Sequence, residues 1–155
     1  MPPDHVYVST HIHTDGPIPG PHSLLTVTSV AYAPDGGPIG TFTTNVRELP
    51  GATLHPVALQ NWRRRAEDWL STRRASLPPA LAMKSYLRWL DRIPGDKEFV
   101  ADTAEPDYLF LYWYLQRFAG QWPFARTNTE VGLHDRLSPT PMCPLAGCRL
   151  LARTS

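Results

Sequence analysis

The first third of the chain has the residue pattern of three β-strands. Residues 5–13 (HVYVSTHIH) place apolar Val6 and Val8 among β-favouring neighbours, as a strand with one buried face does. Residues 23–33 and 39–46 are rich in β-branched residues, and a PDGGP turn separates them. The pattern predicts a three-stranded antiparallel meander, with a Gly- and Pro-rich loop between its first two strands.

The middle of the chain changes to helical periodicity. Residues 54–76 and 78–95 place apolar side chains at helical spacing. Residues 98–102 predict a short strand, and residues 105–120 predict a helix that begins at an acidic turn and ends at a glycine. After residue 124 no period is sustained. The order β-β-β-α-α-β-α predicts an α/β domain with a mixed sheet flanked by helices.

The same spacing predicts which side of each helix is buried. We expect the last helix to face the sheet with three residues of its aromatic run, YLFLYWYL. The predicted buried faces are Leu81, Leu87, Leu90 and Ile93 in the helix over 78–95, and Leu109, Tyr112 and Trp113 in the last helix.

Composition narrows the function only slightly. With 155 residues, 42% of them hydrophobic, the chain is long enough for one domain with a real core. The formal net charge of +1 neither requires nor excludes nucleic acid, because a balanced total can hide a basic patch. No apolar stretch approaches the ~20 residues of a membrane span, and the first residues lack signal-peptide features. We therefore expect a cytoplasmic protein in which Cys143 and Cys148 are free thiols.

The stretch HIHTDGPIPG, residues 11–20, has the clearest chemical character, because a predicted strand with two histidines runs directly into a loop. Residues two apart on a strand point to the same face, and their side chains stand roughly 6–7 Å apart. His11 and His13 can therefore converge on one ion. Together with a carboxylate they form a ligand set that suits Zn²⁺, Fe²⁺ or Mn²⁺.

This stretch, with LPGATLHP at 49–56 and FVADTAEPDYLFLYWYL at 99–115, resembles the DEDD superfamily of 3′→5′ exonucleases. Within that superfamily, the sequence is most similar to the small bacterial 3′–5′ exoribonuclease-like group. The resemblance covers residues 6–124 and implies a ribonuclease-H-like fold, in which the antiparallel meander is joined by a parallel strand. We therefore assign residues 1–124 to an exonuclease domain and residues 125–155 to an irregular, truncated or divergent tail.

The resemblance implies metal-dependent hydrolysis of phosphodiesters from a 3′ end. The family holds two divalent ions, Mg²⁺ or Mn²⁺, among four acidic side chains. One ion lowers the pKa of the attacking water and the other steadies the leaving oxygen. The implied partner is the 3′ end of single-stranded RNA or DNA, and relatives of this kind are often homodimers.

Carried over to this chain, the resemblance leaves an altered set of site residues. His11 and His13 occupy the positions of the two first-strand acids, and Asp107 matches the mid-chain acid. The last motif has no match, so that His134 is the remaining candidate for the catalytic base. Asp15 becomes a fourth metal ligand if the loop folds back.

Three functions remain open from the sequence: a metal-dependent nuclease, a non-catalytic nucleic-acid-binding or interaction domain, and a mononuclear transition-metal protein. Replacing two carboxylates by imidazoles removes two negative charges, and imidazole is a poor ligand for Mg²⁺. Zn²⁺ or Mn²⁺ is more compatible with histidine ligands than Mg²⁺ is. This chemistry disfavours a nuclease that works with two Mg²⁺ ions.

An arginine-rich stretch, NWRRRAEDWLSTRR at 61–74, offers a second candidate site. Its arginines could contact phosphates while a tryptophan stacks on a base. We favour a solvated helix face paired with Glu67 and Asp68, with Trp62 and Trp69 in the core. The arginines concerned are Arg63, Arg64, Arg65, Arg73 and Arg74.

Overall fold

The computed structural model describes residues 5–50, 66–101 and 106–128. These residues form one five-stranded sheet and three helices. The strands are β1 (His5–Thr14), β2 (Leu24–Tyr32), β3 (Pro38–Asn45), β4 (Asp96–Val100) and β5 (Arg126–Asn128), and the helices are α1 (Ala66–Arg73), α2 (Pro79–Asp91) and α3 (Asp107–Ala119).

The sheet is mixed and has the strand order β3-β2-β1-β4-β5. β1, β2 and β3 pair antiparallel, as the predicted meander requires, while β4 pairs parallel to β1 and β5 pairs parallel to β4. β5 lies beyond residue 124, where the sequence suggested no element. Its three residues, RTN, are too short and too polar to give a strand signal. In the strand order of the sheet, β1 is the central strand, with β2 on one side and β4 on the other.

Helices α2 and α3 pack against one face of the sheet and bury the main core. Val6, Val8 and Ile12 of β1 belong to the same apolar cluster as Tyr86 of α2 and Leu111 of α3. These β1 residues are at most 1% exposed, since a strand with helices on its face is shielded from water there. The opposite face of β1 carries polar side chains, and this polar face includes both histidines.

The prediction of which helix faces are buried is partly wrong. In α2, Leu81 is 44% exposed, and the buried positions are Ala82, Met83, Tyr86 and Leu90. In α3, Leu109 is 51% and Tyr112 is 40% exposed. Phe110, Leu111, Tyr114 and Leu115 are buried instead. Because the α3 run is apolar on every side, its periodicity cannot identify the face that packs on the sheet.

Asn45, the last residue of β3, ties α1 to the sheet. Its amide nitrogen donates to the backbone carbonyls of Ser71 and Arg74 at 2.8 Å, and its Oδ1 accepts from Thr26 Oγ1 at 3.1 Å. The carbonyls at a helix C-terminus have no intrahelical partner, so that a side-chain amide is a good substitute. This contact fixes the end of α1 beside β2 and β3.

A hydroxyl network crosses the core between the sheet and α2. Ser29 Oγ lies 2.8 Å from both Thr10 Oγ1 and Tyr86 Oη, and all three residues are fully buried. Burial raises the pKa of Tyr86 to about 12. The network satisfies polar groups that would otherwise be costly inside the core.

Replacing Tyr86 by Phe is expected to lower the free energy of unfolding by about 1 kcal/mol, because one buried hydrogen bond is lost without a change in shape. The urea midpoint monitored by circular dichroism measures this change. Tyr112→Phe is the matched control, since Tyr112 is 40% exposed and is not part of the network. An equal loss in both variants would contradict a role for the hydroxyl network.

Candidate functional site

His11 and His13 lie side by side near the end of β1. Their ring centroids are 5.4 Å apart and their planes are perpendicular. His11 is 7% exposed and His13 is 2% exposed. The alternation of a β-strand puts both rings on the polar face of the sheet, as predicted.

Asp107 comes to the same place from the start of α3. Its Oδ2 lies 4.0 Å from Nδ1 of His11, and its Oδ1 accepts a hydrogen bond from the amide of Ile12 at 3.3 Å. The ladder between β1 and β4 ends at the pair Ser9 and Val100, so that the Ile12 amide lies beyond it. A carboxylate at a helix N-terminus is also stabilised by the helix dipole. The end of β1 and the start of α3 therefore meet at this carboxylate.

Burial determines the protonation state of His13. Loss of hydration lowers the pKa of His13 to about 4, since a buried imidazole disfavours its charged form. At neutral pH the His13 ring is therefore uncharged. Its nitrogen lone pair can accept a hydrogen bond or ligate a transition metal.

Asp15, the next acidic residue after the pair, has a structural contact in this loop. Its carboxylate accepts a hydrogen bond from the Ser23 amide, and its own amide donates to the Ser23 carbonyl at 3.1 Å. Burial raises the pKa of Asp15 to about 6, with a smaller contribution from the charge of Glu48, while the hydrogen bond from Ser23 and the charge of Arg73 act in the opposite direction. Asp15 thus closes the loop over residues 16–22.

Contacts within that loop make it compact. The amide of Ile18 donates to Nδ1 of His22 at 3.2 Å, and the His22 amide donates to the Ile18 carbonyl at 3.0 Å. The ring of His22 packs on Gly16, where a β-carbon would overlap it. Only glycine fits at position 16 without displacing the ring. The Gly- and Pro-rich segment that follows the two histidines is therefore an ordered loop held by its own hydrogen bonds.

Comparison with known proteins finds exonucleases that are similar to this chain. No protein-family model matches the chain. In sequence, it is 26% identical over 137 residues to the 3′-5′ DNA exonuclease Cap18 of Escherichia coli, a match that covers 81% of this chain and 65% of that protein. The structure of E. coli exonuclease I in complex with a 5cy-dT13 oligonucleotide is similar, with a TM-score of 0.61 and 10% identity over 82% of this chain and 28% of that chain. Exonuclease I from Methylocaldum szegediense gives a TM-score of 0.60 at 14% identity, over 96% of this chain and 34% of that one.

The predicted resemblance to DEDD-type 3′→5′ exonucleases is confirmed. The ribonuclease-H-like fold is confirmed with it, because the mixed sheet flanked by helices is shared with the solved exonucleases. The chain spans 65% of the length of the curated relative and at most 34% of the solved ones. That curated relative is a DNA exonuclease, whereas the sequence suggested an exoribonuclease-like group.

His11, His13 and Asp107 lie close together in this fold, but they form no ready metal site. In residues 5–50, 66–101 and 106–128, no three His, Cys, Asp or Glu side chains are arranged to hold a metal ion. The carboxylate of Asp15 contacts the Ser23 amide. Its role as a fourth ligand stays a prediction, and that role requires release of this hydrogen bond.

Arg73, one of the five candidate arginines, lies in a half-buried cluster that sequence reasoning missed. Its guanidinium donates to Glu48 Oε1 at 3.3 Å and to the Leu25 carbonyl at 3.2 Å. Loss of hydration lowers the pKa of Arg73, while the charges of Glu48 and Asp15 raise it. Arg73 therefore supports the start of β2 beside the loop. Residues so far apart in sequence carry no local signal of this contact.

Other predicted residues lie outside the part of the chain that the structure describes. These are His134, the cysteines at 143 and 148, Trp62 and the arginines at 63–65. Their predicted roles stay predictions. Within the described residues, no helix is long and apolar enough to cross a membrane.

Proposed function

We propose that this chain is a 3′→5′ exonuclease-type domain that receives the 3′ end of a single-stranded nucleic acid where β1 ends and α3 begins. The contact between His11 and Asp107 carries the proposal, because it joins the first-strand position and the mid-chain acid of the predicted motif at 4.0 Å. Similarity to a DNA exonuclease, and to an exonuclease solved with an oligonucleotide, supports single-stranded DNA as the first substrate to test. RNA is the second.

The donor set does not fit the pair of Mg²⁺ ions that the family resemblance implies. Only Asp107 and Asp15 are carboxylates among the four predicted ligands, and Mg²⁺ requires oxygen ligands. A neutral imidazole such as that of His13 suits Zn²⁺ or Mn²⁺ far better. By ligand chemistry, His11, His13 and Asp107 suit one transition-metal ion, with Asp15 as the proposed fourth ligand, but the described side chains are not arranged to hold it and would have to move together.

A divalent ion held by these residues would lower the pKa of an attacking water and offset the charge of the phosphate. The chain's own residues define the frame around it. The Ile12 amide fixes Oδ1 of Asp107, which leaves Oδ2 directed toward His11. Burial keeps His13 neutral, so that one ring nitrogen can donate a hydrogen bond and the other can accept one or ligate a metal. His134 is retained as the proposed general base.

Hydrolysis is expected to be fastest with Mn²⁺ or Zn²⁺ and slower with Mg²⁺ by on the order of tenfold or more, because of the imidazole ligands. The test uses metal-stripped protein, single added metals and a 5′-labelled oligonucleotide of DNA or RNA, with products separated by length. Elemental analysis of the protein as purified gives the resident metal independently. Equal activity with Mg²⁺, or shortening from the 5′ end, would contradict the proposal.

The second candidate is a non-catalytic domain that binds 3′ ends. The replacement of two negative charges by neutral rings favours it, since catalysis in this family depends on bound cations. It predicts binding of single-stranded nucleic acid, no shortened product with any metal, and no resident metal in elemental analysis. The same experiment therefore separates the two candidates.

The predicted cytoplasmic location and homodimer complete the proposal. Light scattering coupled to gel filtration measures the oligomeric state directly. A monomer at all accessible concentrations would remove the homodimer without affecting the proposed site.

A further inference from the structure

Helix α2 carries a row of positive charge on its exposed side. Lys84, Arg88 and Arg92 are spaced four residues apart, and each of the three is exposed. Arg92, the residue that caps the helix, keeps a helical backbone with φ −76° and ψ −15°. Residues four apart on a helix are neighbours on its surface, so that the three cations follow one another along one side. We call these three residues the basic row.

Acidic side chains do not neutralise the basic row. Asp91 is the one acid among residues 79–92, and it leaves this side of the helix with an excess of positive charge. Among the salt bridges of the described residues, none includes a member of the basic row. The three charges are therefore available to an anionic partner.

The stability of the helix does not account for the basic row. Like charges four residues apart repel each other and destabilise a helix, whereas alternating charges would solvate the same side equally well. The helix dipole favours cations in the last turn, which accounts for Arg88 and Arg92. Lys84 lies one turn earlier, where the dipole gives little stabilisation. An anionic partner explains all three positions.

The spacing of the basic row suits the phosphate backbone of a nucleic acid. Four residues of an α-helix rise about 6 Å, so that the row is about 12 Å long. A stacked strand carries one phosphate per ~3.4 Å, and the row therefore spans roughly three to four phosphates. Contacts of this kind hold a strand without reading its sequence.

The direction of α2 relates the basic row to the candidate site. Leu77, just before the helix, bridges to Val46, and this end of β3 pairs through β2 with the His13 end of β1. After the helix, β4 begins with a residue that pairs with His5, at the opposite end of β1. α2 thus starts at the site end of the sheet, and the basic row runs away from that end.

From this arrangement we infer that the basic row binds the phosphate backbone of a single-stranded nucleic acid outside the candidate site. The choice of a single strand as partner rests on the proposed function. The contact itself requires neither a 3′ end nor the residues of the candidate site. It adds affinity for long strands and leaves the proposed chemistry unchanged.

The test measures the fluorescence anisotropy of a circular oligo-dT, which has no 3′ end, as the full chain is added. Three phosphate contacts on a single strand change log affinity against log salt by a slope of about −2, which is roughly a fifteenfold loss between about 50 and 200 mM NaCl. The neutral variant Lys84→Gln with Arg88→Gln and Arg92→Gln is expected to lose this part of the salt dependence. At about 50 mM salt it is expected to bind the circle at least about tenfold more weakly than the wild type.

A matched variant removes the same charge from other places. Its joint replacement by Gln changes three exposed arginines on separate segments, Arg47, Arg117 and Arg126. Scattered charges act on binding through the net charge alone, so that a loss of less than about threefold is expected. A charge-conserving variant, Lys84→Arg with Arg88→Lys and Arg92→Lys, is expected to bind the circle as the wild type does. Circular dichroism checks the fold of every variant.

The outcomes separate the inference from the proposed function. If the wild type does not bind the circle, or if the two neutral variants lose the same affinity, the inference is wrong. The proposed function is measured on a 5′-labelled oligo-dT of about four nucleotides, which is too short to follow the row from the site. Equal shortening of this strand by the wild type and both neutral variants is expected. Slower shortening by the basic-row variant alone would place the row at the site and contradict the inference, whereas no shortening by any chain would contradict the catalytic proposal only.

Discussion

Replacing Asp107 by Asn is expected to reduce the proposed phosphodiester hydrolysis by on the order of a hundredfold or more, while the free energy of unfolding changes by less than about 1 kcal/mol. The Asn carbonyl oxygen can still accept the hydrogen bond from Ile12, which in the wild type spans 3.3 Å. The amide has no negative charge to offer a metal ion or a neighbouring imidazole. Activity on a 5′-labelled strand in Mn²⁺ and a urea denaturation curve measure the two effects separately.

Replacing Asp107 by Ala removes the acceptor as well as the charge. The buried Ile12 amide then loses its partner. Because both variants lack the carboxylate at the start of α3, the lost hydrogen bond alone is expected to cost the Ala variant about 2 kcal/mol of stability relative to the Asn variant. Asp91→Asn at the exposed end of α2 is the control for an Asp→Asn change. Full activity in the Asp107→Asn variant would remove this residue from the proposed chemistry.

The strands of the meander were predictable because turns and β-branched runs are local signals. The predicted strands at 5–13, 23–33 and 39–46 correspond to β1, β2 and β3 to within one residue at each end. β5 could not be predicted, since its pairing with β4 is a long-range contact that its three residues do not encode. The face of α3 was equally hidden, because apolar side chains surround the helix.

The site was only half predictable for a related reason. The common face of His11 and His13 follows from the strand period alone. Their proximity to Asp107 does not, because no local pattern shows that β4 pairs with β1 only as far as Ser9 and leaves room for a carboxylate beyond it. That placement came from the family resemblance. The contacts of Asp15 with Ser23 join residues eight apart across a loop, and no local sequence pattern predicts them.

Acid is expected to destabilise the protein through His13. The pKa of its imidazole is about 4 in the folded chain, below the ordinary value of 6.5 that applies when the chain unfolds. The unfolded state therefore binds a proton first as the pH falls. The part of the free energy of unfolding that depends on a neutral His13 is fully present above pH 6.5. It is lost as the pH falls through 6.5 toward 4, with a total of about 3 kcal/mol. Such a loss is a large part of the stability of a small domain.

The test compares urea denaturation of the wild-type chain and His13→Gln between pH 7 and pH 4. Asp15 acts in the opposite direction in the same range: its pKa is raised to about 6, so that stability is present at low pH and lost as the pH rises through that value. The difference between wild type and His13→Gln cancels this contribution, because both chains keep Asp15. As the pH falls from 6.5 to 4, the wild-type chain loses the stability that depends on a neutral His13, whereas His13→Gln does not. Any stability advantage of the wild type over His13→Gln is therefore expected to shrink or to reverse. A difference independent of pH would mean that His13 is protonated equally in the folded and unfolded chains, and would remove the argument that burial lowers the pKa of its ring.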